Sequence, residues 1–529
     1  MSNVGLVWRT VRHFSIRQVV YQLLHRIRKP ALLHLPESAP TACFLAVPVA
    51  DKPTSYRCDE FTFLNQSSQF TVVVNWNYSA SGKLWTYHLN YFDFLNQPDM
   101  TPDTGLRLLM DFIAQTADLR TGLESYPISL RIQNWVQFLS RHQLQNDAIN
   151  RHLRAQIASL NKRIEYHLSA NHLLENGFAL LMGALYFQNN CWLQKAVKLI
   201  RQELTAQILA DGGDYERSPV YHQILLDRLL DVLLSLQATA DFYDIYFVDF
   251  LHDQAIRMLC WLTAITFRNG DVPMVNDAAP DMALTTAQLQ QKAITIGINP
   301  NYTLATLMES GYRMFQQLRY ELLADVGPVG PDHQPGHAHA DTLSFVLYVD
   351  NQPVIVDTGT STYQPGSRRE WERSTAAHNT ITIDECDSSE VWSVFRVGRR
   401  AQVTVLNDTQ TELTAFHDGY RHLGCIHERT WQCEQTRLVI TDRLLKAHYR
   451  ARFGMSGVAR FYFHSSVPVH YSEEVIWAGP LKITLSSATK PEFIVTTEQL
   501  ANGFNRFQSG HCLKVRFTSE LETVVTFCG

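Results

Sequence analysis

At 529 residues the chain is longer than one hydrophobic core ordinarily serves, so at least two domains are expected. A composition of 45% hydrophobic and 18% charged residues excludes disordered and fibrous classes. A net charge of -5 excludes a broadly basic nucleic-acid binder, but leaves room for a locally basic groove on an acidic polymer.

The N-terminal stretch MSNVGLVWRTVRHFSIRQVVYQLLHRIRKP is basic and amphipathic. Arg9, Arg12, Arg17, Arg26, Arg28 and Lys29 alternate with Val, Leu, Ile and Tyr. It lacks the continuous apolar core and cleavage site of a classical signal peptide. Location is therefore open between the cytoplasm and the cell envelope or periplasm of a bacterium. Such an arm can touch a membrane surface peripherally or pack on its own protein. No run of about 18 apolar residues exists, so no membrane span is expected. The rest of residues 1–80 shows no clear period.

From about Thr101 to Thr303 apolar residues recur at three- and four-residue steps, as in GLRLLMDFIAQTADL, NHLLENGFALLMGALYF and YHQILLDRLLDVLLSLQ. Short polar breaks between them predict a series of helical hairpins over 81–317, arranged as an array or toroid. After about Leu318 the period becomes two. LSFVLYVDNQPVIVDTG predicts two strands around an Asp350-Asn351 turn, and many short strands follow, so 318–529 reads as an antiparallel sandwich. The Gly- and Pro-rich stretch around 320–330 reads as the seam. Nine scattered cysteines without a CxxC pair read as buried free thiols.

The densest polar cluster is Gly336-His337-Ala338-His339-Ala340-Asp341. On extended backbone His337 and His339 share a face. Asp357 ends the next strand and His378 opens another. A His, Asp, His set on neighbouring strands can hold a zinc-like cation; ordinary hydrogen-bonded histidines are the alternative. A metallohydrolase HxHxDH loop is disfavoured, because Thr342 follows Asp341 and a strand follows in place of a helix.

In Asn171-His172-Leu173-Leu174-Glu175, His172 and Glu175 lie three apart and are expected to meet on one helical face. In DGGDYERSPVYHQILLDRL, Asp211, Gly212 and Gly213 make a turn, and Ser218 and Pro219 read as N-cap and first helical position. Tyr221 then falls in the first turn, where the helix dipole is expected to lower its pKa modestly. Asn134 and Trp135 in LRIQNWVQF suit a sugar face or a core equally. Arg368, Arg369 and Arg373 can grip carboxylate or sulfate through bidentate contacts, or serve the structure.

Together these segments resemble the heparinase II/III superfamily of polysaccharide lyases, which includes related alginate lyases. The resemblance is strongest over Gly336–Ala401, where GHAHADTLSFVLYVDNQPVIVDTG, RSTAAHNTITID and VWSVFRVGRRA stand in family order. LWTYHLNYFDFL, LRIQNWVQF, NHLLENG and DGGDYERSPVYH precede them. It implies an (α/α) toroid followed by an antiparallel β-sandwich, with the active site between them. Asn171 and His172 match the family's Asn-His pair, Tyr221 its catalytic tyrosine and His337 its sandwich-domain histidine. Glu175 matches an acid found beside the pair in some members. His339, Asp357 and His378 match the structural metal ligands, usually zinc, with calcium less favoured. Asn134, Trp135, Glu175, Arg368 and Arg373 are the expected substrate-binding residues.

The implied activity is β-elimination on a uronate-containing acidic polysaccharide. Neutralising the uronate carboxylate lets charge spread into it as the C5 proton leaves, a task for Asn171 with His172 or His337. Tyr221 is the first choice for both base and acid in one geometry, with His172 as base in the other. Two other readings stay open. One is a non-catalytic or exopolysaccharide-biosynthesis accessory binder, motivated by the absent signal peptide. The other is a hydrolase, for which no pair of carboxylates presents itself.

Overall fold

The computed structural model describes residues 3–28, 32–50, 52–237, 244–299, 305–447 and 456–528. Lys29, counted above in the basic arm, lies outside them. Two helices open the chain, Asn3–Val11 and Ile16–Ile27, the second started by a capping box of Ser15 and Gln18. A small antiparallel sheet follows, made of Tyr56–Arg57, Glu60–Phe63 and Gln66–Gln69. The segment before residue 80 is no separate unit: Leu45, Phe61, Phe63 and Trp76 belong to the core of the helical body.

That body has an inner and an outer set of helices. Ser125–Arg141, Ala170–Tyr186 and Pro219–Gln237 are buried along almost their whole lengths and pack on one another. Asp147–Lys162, Asn190–Gln207 and Ile245–Ile265 alternate with them in sequence and bury one face each. A helix buried all round belongs inside and an amphipathic one outside, so the alternation yields a toroid of helical hairpins. The inner helices also carry a charged network. Asp227 takes Lys52 at 2.8 Å and also Lys292, and Arg228 lies 3.5 Å from Glu175 and 3.8 Å from Asp93.

The C-terminal part is two antiparallel sheets of eight strands each over a shared core. Asp350 and Asn351 both adopt left-handed φ (50° and 63°) between Phe345–Val349 and Gln352–Ile355. This is the tight hairpin the sequence predicts. The seam expected around 320–330 is corrected. Tyr320–Asp325 is a strand buried along its length, between Tyr312–Gln316 and Phe345–Val349. The Gly and Pro residues end that strand, and the sandwich begins at Tyr312, before the expected boundary. Only Cys425, Cys433 and Cys512 are buried, whereas Cys58 and Cys191 are exposed, against the expectation of buried thiols. Among the described residues no helix is long and apolar enough to cross a membrane.

The two parts are locked side by side. Tyr312 donates to the Arg217 carbonyl at 2.6 Å, and Trp261 donates to Ser310 at 2.9 Å. Asn171, Glu216, Tyr221, Asp277 and His337 gather along this junction.

Candidate active site

The inner helix Ala170–Tyr186 begins under strain. Ser169 and Ala170 both hold left-handed φ, 57° and 54°, which costs about 1–3 kcal/mol for each non-glycine residue. The Glu216 carboxylate accepts the Asn171 backbone N–H at 3.1 Å, and Gln207 donates to the Ala170 carbonyl at 3.1 Å. These bonds fix Asn171 and His172 in the first turn. The His172 ring stacks on Tyr126 with centroids 4.1 Å apart, and its Nδ1 lies 3.4 Å from Glu165. Its Nε2 has no hydrogen-bond partner among the described residues, and the side chain is 34% exposed, so the ring can meet a ligand.

The Asp211-Gly212-Gly213 turn is compact enough to demand glycine: Gly212 has φ 93°, and a Cβ there would lie 2.2 Å from the Arg257 carbonyl oxygen. The chain then reaches Ser218, whose Oγ accepts the Tyr221 N–H at 3.4 Å and donates to the Asp277 carbonyl at 2.8 Å. Pro219 is the first helical residue, as the sequence predicts. The Tyr221 ring stacks on His337 at 3.9 Å and 28°, and its hydroxyl lies 3.1 Å from that of Tyr363. The expected lowering of the Tyr221 pKa is corrected. Burial first, then Tyr363 and Asp277, hold it well above the ordinary tyrosine value. Desolvation of a buried phenolate outweighs the dipole of one helix end.

His337 and His339 stand on an irregular loop, not on the extended backbone expected, yet they converge on one carboxylate. Asp277 receives His337 Nδ1 and His339 Nε2, each at 2.9 Å, and pairs bidentately with Arg369 at 2.5 and 2.7 Å. Burial pushes the Asp277 carboxyl up, but Arg369 and the two histidines overcome it and hold the group well below the usual range. Burial lowers the His337 pKa against the opposing pull of Asp277, which favours a neutral ring. A carboxylate at Nδ1 fixes the proton there and leaves Nε2 as acceptor. Glu216 Oε2 lies 3.5 Å from that Nε2. Burial, then Asp214, raise the Glu216 pKa well above its usual value, so it faces His337 as a neutral acid.

Several expected site residues lie elsewhere. Trp135 is 0% exposed and packs edge-on against Phe92 and Phe112, so it offers no face to a sugar. Asn134 is buried and donates to the Tyr91 carbonyl and Asp93. Glu175 does not meet His172: it accepts from Gln133 at 2.7 Å and neighbours Arg228 inside the toroid. Arg373 is buried and donates to the Ala338 and Ser393 carbonyls. Arg368 is half-exposed but committed to Glu372 at 2.7 Å. Each was legible as a polar or aromatic residue in the right segment; the sequence did not reveal that its partner was another part of the protein.

Among the described residues no three His, Cys, Asp or Glu side chains are arranged to hold a metal ion. Asp357 and His378 close on each other at 2.7 Å, and His339 is held by Asp277. Burial pushes the His378 pKa down, and the Asp357 carboxylate outweighs it and pulls it up to about 9. The donor chemistry nevertheless fits a cation: His339 Nδ1 and His378 Nε2 are buried without a hydrogen-bond partner, on rings 5.3 Å apart.

The sequence reading missed Tyr126, Glu216, Asp277 and Tyr363. Asp277 sits in VPMVNDAAP, where no motif marks it. Its one local trace in the fold is the left-handed Asn276 before it, at φ 57°.

Two family signatures cover the chain: "Heparinase II/III N-terminus" matches residues 79–298 and "Heparinase II/III-like, C-terminal" residues 299–522. A heparin-sulfate lyase of Pedobacter heparinus is 24% identical over 275 residues, 47% of this chain and 39% of that protein. A heparin-sulfate lyase of Bacteroides stercoris is 20% identical over 264 residues, 44% of this chain and 38% of that one. The chain thus spans about two-fifths of the length of these relatives. Among solved structures, a heparinase III superposes with a TM-score of 0.64 at 14% identity, over 87% of this chain and 81% of that one. Heparan sulfate lyase HepC from Pedobacter heparinus gives 0.55 at 16%, over 97% and 88%. At such identities the likeness speaks for the fold, a helical toroid joined to an antiparallel sandwich; the two signatures, which together run over most of the sequence, speak for descent, and the chain belongs to the heparinase II/III family.

Proposed function

We propose that the protein is a polysaccharide lyase that cleaves a uronate-containing acidic polysaccharide by β-elimination. The observation that carries this reading is the junction itself: Tyr221 stacks on His337, and Glu216 ties His337 to the backbone of Asn171. Residues from three distant stretches of the chain, around 171, 216–221 and 337, meet there. In the reaction the C5–H and C4–O bonds break, a C4=C5 double bond forms, a base keeps the proton and an acid protonates the departing oxygen. Asn171, at the start of a helix, neutralises the uronate carboxylate with a hydrogen bond and the positive helix end. The neutral Glu216, which holds the Asn171 N–H, completes that pocket as a hydrogen-bond donor.

His172 serves as base, because Glu165 orients Nδ1 and leaves Nε2 as the acceptor. Tyr221 serves as acid, since its raised pKa keeps the phenol protonated. The purified protein, incubated with heparan sulfate, hyaluronan, alginate and bacterial capsule, is expected to raise ultraviolet absorbance from the unsaturated product. Heparan sulfate comes first because the relatives above carry heparin-sulfate lyase as their name. Binding without any rise favours the accessory-binder reading. New reducing ends without absorbance mean hydrolysis and overturn the proposal.

A structural zinc on His339, Asp357 and His378 is proposed alongside it. It would brace the loop that presents His337, and no step of the reaction runs through it. Its support is the pair of partnerless buried ring nitrogens. Metal analysis is expected to find about one zinc per chain, lost in His378→Ala together with thermal stability. A metal-free wild-type protein whose melting ignores both added zinc and chelator sinks this proposal.

A further inference from the structure

The two N-terminal helices are amphipathic with the wrong face outward. On Asn3–Val11 the exposed stripe is Val4, Val7, Trp8 and Val11, with Trp8 66% exposed. On Ile16–Ile27 it is Ile16, Val19, Val20, Leu23 and Ile27, with Ile16 85% exposed. The opposite, polar sides face the protein. Thr10 and Gln18 are buried, Arg9 pairs with Glu390 of the sandwich at 2.6 Å, and Arg17 lies 3.6 Å from Glu203 of the helical body and over the Tyr166 ring. A surface helix of a water-facing protein turns its apolar stripe inward. Here both helices are anchored by polar contacts to the two domains and leave their apolar stripes uncovered.

We infer that this arm docks the protein on the surface of an anionic lipid bilayer. Six basic and no acidic residues precede Glu37, on a chain whose total charge is -5. Arg12, Arg26 and Arg28 are exposed beside the stripes. Apolar side chains with a tryptophan, flanked by arginines, are what an interfacial helix needs to sink to the headgroup boundary and hold anionic headgroups. A second copy of the chain is a poorer occupant, because self-pairing would oppose two basic arms. The arm also touches segments that lead into the active-site junction. His25 stacks on His167, and the Trp392 indole donates to Thr10, three residues before Phe395 at the His337 ring. Docking would hold that junction close to the bilayer.

The test floats the full chain with vesicles of phosphatidylcholine alone and of phosphatidylcholine mixed with phosphatidylglycerol. Binding is expected to the anionic vesicles, weakening with salt, and to fall about tenfold in the Trp8→Glu, Leu23→Glu double variant. Both side chains are more than half exposed, so melting should not change. If that variant misfolds, Arg26→Gln with Arg28→Gln provides the check, expected to weaken only the anionic binding. Equal flotation of the variants, or no flotation of the wild type, overturns the proposal. So does a dimer in light scattering that Trp8→Glu dissolves while vesicles stay unbound, which would make the stripe a contact between copies.

Discussion

Tyr221→Phe is expected to lower kcat by about 100- to 10,000-fold, the usual worth of a proton-transfer group in place, with little change in stability. The phenol ring packs on His337 whether or not it carries the hydroxyl, and the one hydrogen bond lost is to Tyr363. KM should change little, because the lost interaction belongs to the transition state. His172→Gln separates the two divisions of labour. If His172 is the base, its loss is comparable to that of Tyr221; if Tyr221 carries both roles, the His172 variant keeps most of its turnover. The pH profile adds a second reading. A resting phenolate base would need pH above the ordinary tyrosine range, since burial holds this phenol higher still. Activity near neutrality therefore favours tyrosine as acid. Retained activity in Tyr221→Phe sinks both assignments.

The fold was legible because its two halves repeat apolar residues with different periods, and period survives without any knowledge of partners. The helical reading of 101–303 depended on residues such as Leu174, Phe178 and Leu181, all now buried in one inner helix. What the period could not give was the order of layers. Tyr320–Asp325 was misread because Gly327 and Pro328 beyond it resemble a linker, while its burial comes from distant parts of the chain: Leu322 and Ala324 lie in the sandwich core and Leu323 in the core of the helical body. Beyond the basic arm, the rest of the first 80 residues was opaque for a similar reason: its short elements have no period of their own and are held by Phe61 and Trp76 reaching the helical core.

At the site the helix start was read correctly, though the pairing of His172 with Glu175 and the extended backbone at His337 and His339 failed. Ser218 and Pro219 begin a helix, and that alone sets Tyr221 in its first turn. Residues whose role depends on a distant partner were not. Arg373 and Arg368 looked equally able to grip an anion, but Arg369 between them takes the buried Asp277, while Arg373 turns to backbone carbonyls. The dipole argument for Tyr221 failed on magnitude: a helix end shifts a group by up to about 1 kcal/mol, and loss of water around a phenolate shifts it by several times that.

Asp277→Ala is expected to be the most damaging substitution for folding, by about 3–5 kcal/mol. Asp277 and Arg369 are both 0% exposed at the side chain. Removing the carboxylate leaves the guanidinium uncompensated, with the Val394 carbonyl its other partner, and frees two histidines at once. Because the native Asp277 pKa lies below its unfolded value, this stabilisation is present above about pH 4 and is lost as pH falls through the native pKa. Asp277→Asn should therefore remove part of the acid sensitivity of unfolding, while Asp277→Ala removes that part and adds the cavity. Denaturant melts at neutral pH measure the loss. A drop under about 1 kcal/mol would mean that water or a rearranged Glu216 satisfies Arg369, and that the carboxylate is dispensable to the packing. Activity separates the second role. In Asp277→Asn the amide cannot hold the Nδ1 proton of His337 as a carboxylate does, so turnover should fall even where the fold survives.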